Sequence, residues 1–261
     1  MKKLVLVLFT ILLLGGCLPK MGKIKTPKKT NQIKIDPVGA WAYQLPQNNK
    51  YVVGIARKSN NTDNMTDSAQ QMAAVMMNRN KNSFVIKNYA AIESESIRNS
   101  GNAQFELNVG STKHLRKIYK SLELVDYSLA YGYFIGLFSI NGAEAPTKAK
   151  TQGAHEVPAW FEENKFQDRS NTIICHTKGT SRDLKTAWED AAEMARQQFA
   201  EYLMKSVQAR ILADDSNVRS DVAVETRLLL KNIQISKSYF VPRCTNGTWR
   251  YDVYFEIIME K

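Results

Sequence analysis

The sequence predicts an α+β protein: two tandem modules of strand–helix–helix–strand–strand order, each a small antiparallel-dominated sheet packed on a long Ala-rich helix. Three observations carry this. From Thr186 to Arg210, Ala187, Trp188, Ala191, Ala195, Phe199, Tyr202, Leu203 and Val207 recur at spacings of three and four, while Glu189, Asp190, Glu193, Arg196, Glu201 and Lys205 take the other side, the pattern of an amphipathic helix with one buried stripe. In the closing run TWRYDVYFEIIME, Trp249, Tyr251, Val253, Phe255, Ile257 and Met259 alternate with Arg250, Asp252, Tyr254, Glu256 and Glu260, the period of two of a half-buried strand. Third, the order of signals recurs: DPVGAWAY at 36–43 is echoed by EVPAWFEE at 156–163, and Met72-Ala73 by Met194-Ala195.

The first element is a leader. Lys2 and Lys3 precede an apolar run from Leu4 to Leu14 broken only by Thr10. That is too short to span a bilayer, which needs about 20 residues, but it has the length of a signal-peptide core. Leu14-Gly15-Gly16-Cys17 looks like the lipobox of bacterial lipoproteins, so residues 1–16 are expected to be a signal peptide and Cys17 the acylated (palmitate-bearing) first residue of the mature chain. One acyl chain anchors only marginally, and stable attachment takes two or more signals, a condition that a di- or triacylated Cys17 meets. Residues 17–35 form a Lys-rich tether, since Lys20, Lys23, Lys25, Lys28, Lys29 and Lys34 all precede the first acid, Asp36. The tether keeps the folded part off the surface, with or without added attraction to anionic headgroups. Leu18, in place of the aspartate that enteric-type sorting retains in the inner membrane, points to the periplasmic side of the outer membrane.

The first module, 36–140, has an apolar strand at Tyr51–Ala56, then a helix over about Asp67–Ile97 with Ala69, Met72, Ala73, Met76 and Phe84 on one side. The run NRNKN at 78–82 is poor in helix formers and predicts a kink or break. A second helix is expected at Ser111–Ser121. The last strand, Tyr131–Ile140, is apolar on both faces, which predicts burial against the other half or a second subunit. A linker containing Gly, Ala, Pro and Lys occupies 141–155. The second module, 156–261, repeats the order with a strand at Thr172–Thr177, the long helix, a second helix at Ser220–Lys231, and two strands. Asn246-Gly247 marks a tight hairpin that joins Ile233–Val241 to the closing run.

Cys17, Pro158-Ala159-Trp160-Phe161, IICHTKGTS, AWEDAAEMARQQFAEYL and WRYDVYFEIIM together resemble the Lpp-twenty family of bacterial lipoproteins. The likeness covers 156–261 and reaches 36–140 as a diverged copy, where Gly39-Ala40-Trp41 replaces the Pro-x-Trp core. It implies an exported, mostly outer-membrane-attached protein without catalytic residues. Some members build a disk around the flagellar motor. The two-copy layout departs from the family's usual single domain.

The formal charge is +11, and loss of residues 1–16 removes two lysines and no acids to leave +9. Export sets nucleic acid aside as a partner and leaves lipid headgroups and cell-wall polymers. Cys175 and Cys244 sit in a compartment where disulfides persist; they either pair or stay as two buried thiols, and the sequence leaves both open. His114, His155 and His176 are scattered, and Cys175-His176, as neighbours on a strand, face opposite ways. No zinc spacing, nucleophile elbow or phosphate loop is present, so no catalytic residue, metal or cofactor is expected. Trp41 and Trp160 open the two halves as core plugs or as stacking platforms for wall glycan. Gly179 in TKGTS reads as a turn leaving a strand, ahead of anion capture by backbone N–H groups with Lys178 and Arg182 beside it. The expected role is non-enzymatic: an assembly or interaction protein of the envelope, binding envelope proteins or itself. The alternative is a binding module for peptidoglycan or another envelope ligand.

Overall fold

A computed structural model describes residues 37–43, 45, 50–89, 106–109, 112–140, 150–151, 156–214 and 224–261. The leader 1–16, the acylation residue Cys17, the tether 17–35 and His155 lie outside the described residues.

The described chain runs β1 (Val38–Gly39), a 3₁₀ turn (Ala40–Ala42), β2 (Tyr51–Arg57), α1 (Thr62–Lys81), β3 (Asn82–Tyr89), β4 (Glu106–Val109), α2 (Thr112–Ser121), β5 (Leu122–Ala130) and β6 (Tyr133–Ile140). It continues with β7 (Lys150–Thr151), β8 (Phe166–Asp168), β9 (Thr172–Ser181), α3 (Leu184–Asp214), β10 (Val224–Lys231), β11 (Ile233–Thr245) and β12 (Thr248–Glu260). The fold is α+β, and every strand pairing among the described residues is antiparallel.

Two sheets share one plan. In β2-β6-β5 the strand that leads into the long helix lies beside the last strand of the half, with the penultimate strand outside; β9-β12-β11 has the same order, and β8 extends it beyond β9. Each sheet carries its helix at close range. A Cβ on Gly54 of β2 would fall 2.1 Å from the Ala69 carbonyl oxygen of α1, and one on Gly179 of β9 would fall 2.0 Å from that of Ala187 of α3. Gly179 therefore sits inside β9, paired with Val253, as a seat for the helix. It does not turn the chain.

The long helix forms as its periodicity predicts, two residues earlier and four later, with Asp183 accepting the Thr186 backbone N–H at 3.0 Å as its cap. Ala187, Trp188, Ala191, Ala195 and Phe199 are buried as expected, but so is Arg196 from the supposed solvent side. α1 ends at Lys81, inside NRNKN, and Asn82–Tyr89 form strand β3 where more helix was expected; 90–97 of that expectation lie outside the described residues. The expected helix at Ser220–Lys231 is strand β10 from Val224 onward, with 220–223 outside the described residues. An eight-residue ladder between β10 and β3 overrides the local helix preference of Leu228-Leu229-Leu230. α2 and the Asn246-Gly247 hairpin form where predicted, with both turn residues at positive φ.

The doubly apolar β6 is buried by its own chain. It lies between β2 and β5, and Phe138 packs towards the face where α1 meets Gly54. On the second half, Tyr133 meets the Tyr251 ring edge-on at 5.5 Å and bonds Asp183. The two halves also join through the β3–β10 ladder, through Ser238, whose N–H donates to Tyr43 O at 3.1 Å, and through Arg196, which donates to Asn80 Oδ1 at 2.7 Å. One apolar core runs through both.

Candidate functional site

β9, β12 and β11 turn one face to α3, and the alternation places Ile174, His176, Lys178 and Thr180 on the other, opposite Ile258, Glu256, Tyr254 and Asp252. The register set by the Asn246-Gly247 turn adds Lys237 opposite Glu256 and Arg243 opposite Arg250. This outer face has two parts.

The first part is closed. Pro158-Ala159-Trp160-Phe161 folds across it, with the Phe161 N–H donating to Pro158 O at 2.9 Å. Phe161 stacks on His176 at 5.8 Å and meets Tyr254 edge-on at 4.8 Å. His176 Nδ1 accepts the Glu162 N–H at 3.1 Å, which leaves Nε2 to carry the proton and donate to Glu256 at 3.2 Å. Ser236 and Lys237 also bond Glu256, at 2.7 and 3.2 Å. Burial alone would push the Glu256 carboxyl up, but the bonds from Ser236, Lys237 and His176 outweigh it and hold the carboxyl below the usual range. Both nitrogens of His176 thus serve the fold, tying the Pro-x-Trp-Phe segment to β12.

The second part is open. Beyond the aromatic cover, Lys178, Arg182, Arg243 and Arg250 converge with Thr180 and Asp252 around a groove at the end of β9. Asp252 accepts Arg243 Nε at 2.9 Å and Thr180 Oγ1 at 3.1 Å, and lies 3.5 Å from Lys178 Nζ. Burial raises its carboxyl, while Lys178, Thr180 and Arg243 more than reverse this, so it stays ionised below its ordinary range. Among the described residues Arg182 and Arg250 make no ion pair.

The remaining candidates lie elsewhere. Trp41 is 1% exposed and donates from Nε1 to Asp126 at 2.9 Å, so it is a core plug with no face left for a sugar. Trp160 is half-buried, with Lys237 Nζ 5.7 Å from its ring centroid and His176 at its edge. Cys175 and Cys244 are free thiols, the first buried and the second exposed. Cys175 pairs with Ile257 and Cys244 with Trp249, eight residues apart along β12, or about 26 Å at 3.3 Å per residue, far outside disulfide reach. Burial pushes the Cys175 thiol well up, and with it goes any nucleophilic use. His114 is exposed on α2. Among the described residues no group of three or more His, Cys, Asp or Glu side chains is arranged to hold a metal, and no helix is long and apolar enough to cross a membrane.

The sequence points to Lys178 and Arg182 but does not by itself bring Arg243, Arg250 and Asp252 beside them. Strand register does: period two puts 250 and 252 on the outer face, and a two-residue Asn-Gly turn sets 243 across from 250. A last large group, Leu124, Tyr127 and Leu129 of β5, is 37%, 47% and 45% exposed. Their partners Phe138, Gly136 and Phe134 alternate along β6, so the three share one face. No protein-family model, curated protein or solved structure matches the chain.

Proposed function

We propose that the chain is a non-enzymatic interaction protein of the cell envelope, held at the periplasmic side of the outer membrane through acylated Cys17 and working by association with a second copy of itself. The likeness of 156–261 to the Lpp-twenty family supports the setting, and through it a link to the flagellar motor. The observation that carries the interaction is the apolar row Leu124, Tyr127 and Leu129 on the outer strand β5, each more than a third exposed although Tyr127 stacks on Phe134. Contiguous exposed apolar surface marks interaction sites more often than scattered residues do. The doubly apolar β6 supports nothing of the kind, since its burial is accounted for within the chain. Tethering confines copies to a plane and raises their effective concentration, so a modest patch suffices. Sedimentation of the full chain in neutral detergent tests this: the wild type associates as concentration rises, and Leu129→Asp stays a monomer with an unchanged circular-dichroism spectrum. A wild type that is monomeric throughout overturns the reading.

The alternative, a binding module for an anionic wall polymer or envelope ligand, is favoured by the basic groove and not by the tryptophans.

A further inference from the structure

The basic groove goes beyond the association reading and does not depend on it. We propose that the groove formed by Lys178, Arg182, Arg243 and Arg250 at the open end of the outer sheet face binds a phosphate group, carried either by a lipid headgroup or by a soluble phosphate ester.

Four cationic side chains and one carboxylate line the groove. Arg243 and Arg250 are direct cross-strand partners on the same face, an arrangement of like charges that destabilises a sheet unless something compensates it. Asp252 compensates only part. Its two oxygens are committed to Arg243, Lys178 and Thr180. Arg182 and Arg250 face the same space without a carboxylate of their own among the described residues. Guanidinium groups offer paired N–H donors at the spacing of two oxyanion oxygens, so two of them beside a lysine suit a tetrahedral phosphate. The Asn246-Gly247 turn carries Arg243 and Arg250 on a hairpin end that runs past the last β9 pairing, Ser181 with Tyr251, which leaves the groove open to a bulky ligand. The neighbouring His176–Glu256–Lys237 cluster carries matching charges and lies under Phe161. That cluster has no cation left over, whereas the groove keeps Arg182 and Arg250 beyond the Asp252 network.

The full chain in neutral detergent is titrated by calorimetry with glycerol 3-phosphate and with dihexanoyl phosphatidylglycerol. Three proteins are compared: wild type, R182Q/R250Q, and K205Q/K231Q, which removes the same charge from exposed positions on α3 and β10. The expected result is salt-sensitive binding by the wild type, weakened by about tenfold or more in R182Q/R250Q and unchanged in K205Q/K231Q. Equal affinity for both ligands assigns the site to the phosphate alone, and binding of the lipid only assigns it to a headgroup at a membrane surface. The proposal fails if the wild type binds neither ligand, if R182Q/R250Q binds as tightly as wild type, or if K205Q/K231Q loses affinity to the same degree.

Discussion

Gly179 leaves no room for a methyl group: it would lie 2.0 Å from Ala187 O and 2.6 Å from Ala191 N, both backbone atoms that move only with α3 itself. Gly179→Ala is therefore expected to destabilise the fold by about 1–3 kcal/mol, the usual cost of overpacking, read as a lowered urea midpoint at unchanged m-value. Gly132→Ala, at a position where nothing lies within 4 Å but φ is +81°, would act through backbone strain instead. The outer-face carboxylates make a separate prediction. Glu256 and Asp252 are held below their ordinary values of 4.5 and 3.8, so the folded state favours their charged forms. The stability they contribute is fully present above those values and is lost as pH falls through the lower folded ones. Thermal melts from pH 6 downward should show this loss, less steeply for Glu256→Gln than for wild type; equal steepness would remove Glu256 from the account.

At the scale of elements, legibility tracks periodicity. α3 and β12 were readable because an apolar stripe marks the face that each turns to the core, even though Asp252 and Tyr254 on the other face of β12 are also buried, and the hairpin because Asn246-Gly247 is chemically committed to positive φ. β3 and β10 were not readable. β10 takes its conformation from β3, and β3 from β10 and β4, so neither is recorded in a pattern of its own. Arg196 was misplaced for a related reason: its charge suggested solvent, but Asn80 and Glu193 receive it in the interior, where burial pushes its pKa down to about 10. The groove fell in between, with two of its cations visible as neighbours of Gly179 and the rest dependent on strand register. Pairing of the two thiols failed on distance along β12, which sequence spacing does not contain.

Over the whole molecule, the halves are distinguishable in plan but not in packing. They share a strand ladder, the cap at Asp183 is bonded by Arg57 and Tyr133 from the first half, and one core runs through both. Residues 36–261 should accordingly unfold in a single cooperative transition, with coincident tryptophan fluorescence and circular-dichroism curves; two resolved transitions would show that the halves stand alone. The β3–β10 ladder also bears on how the chain is made. Every residue of β3 pairs with one that lies between 135 and 149 positions later. A chain emerging from a ribosome or an export channel can pair one edge of β3 with β4 early, but must hold the other edge open until nearly all of the protein is out. During that interval β3 is a template for the wrong partner. The sharing that makes the finished protein one body thus leaves the newborn chain with an open strand edge for as long as β10 is unmade.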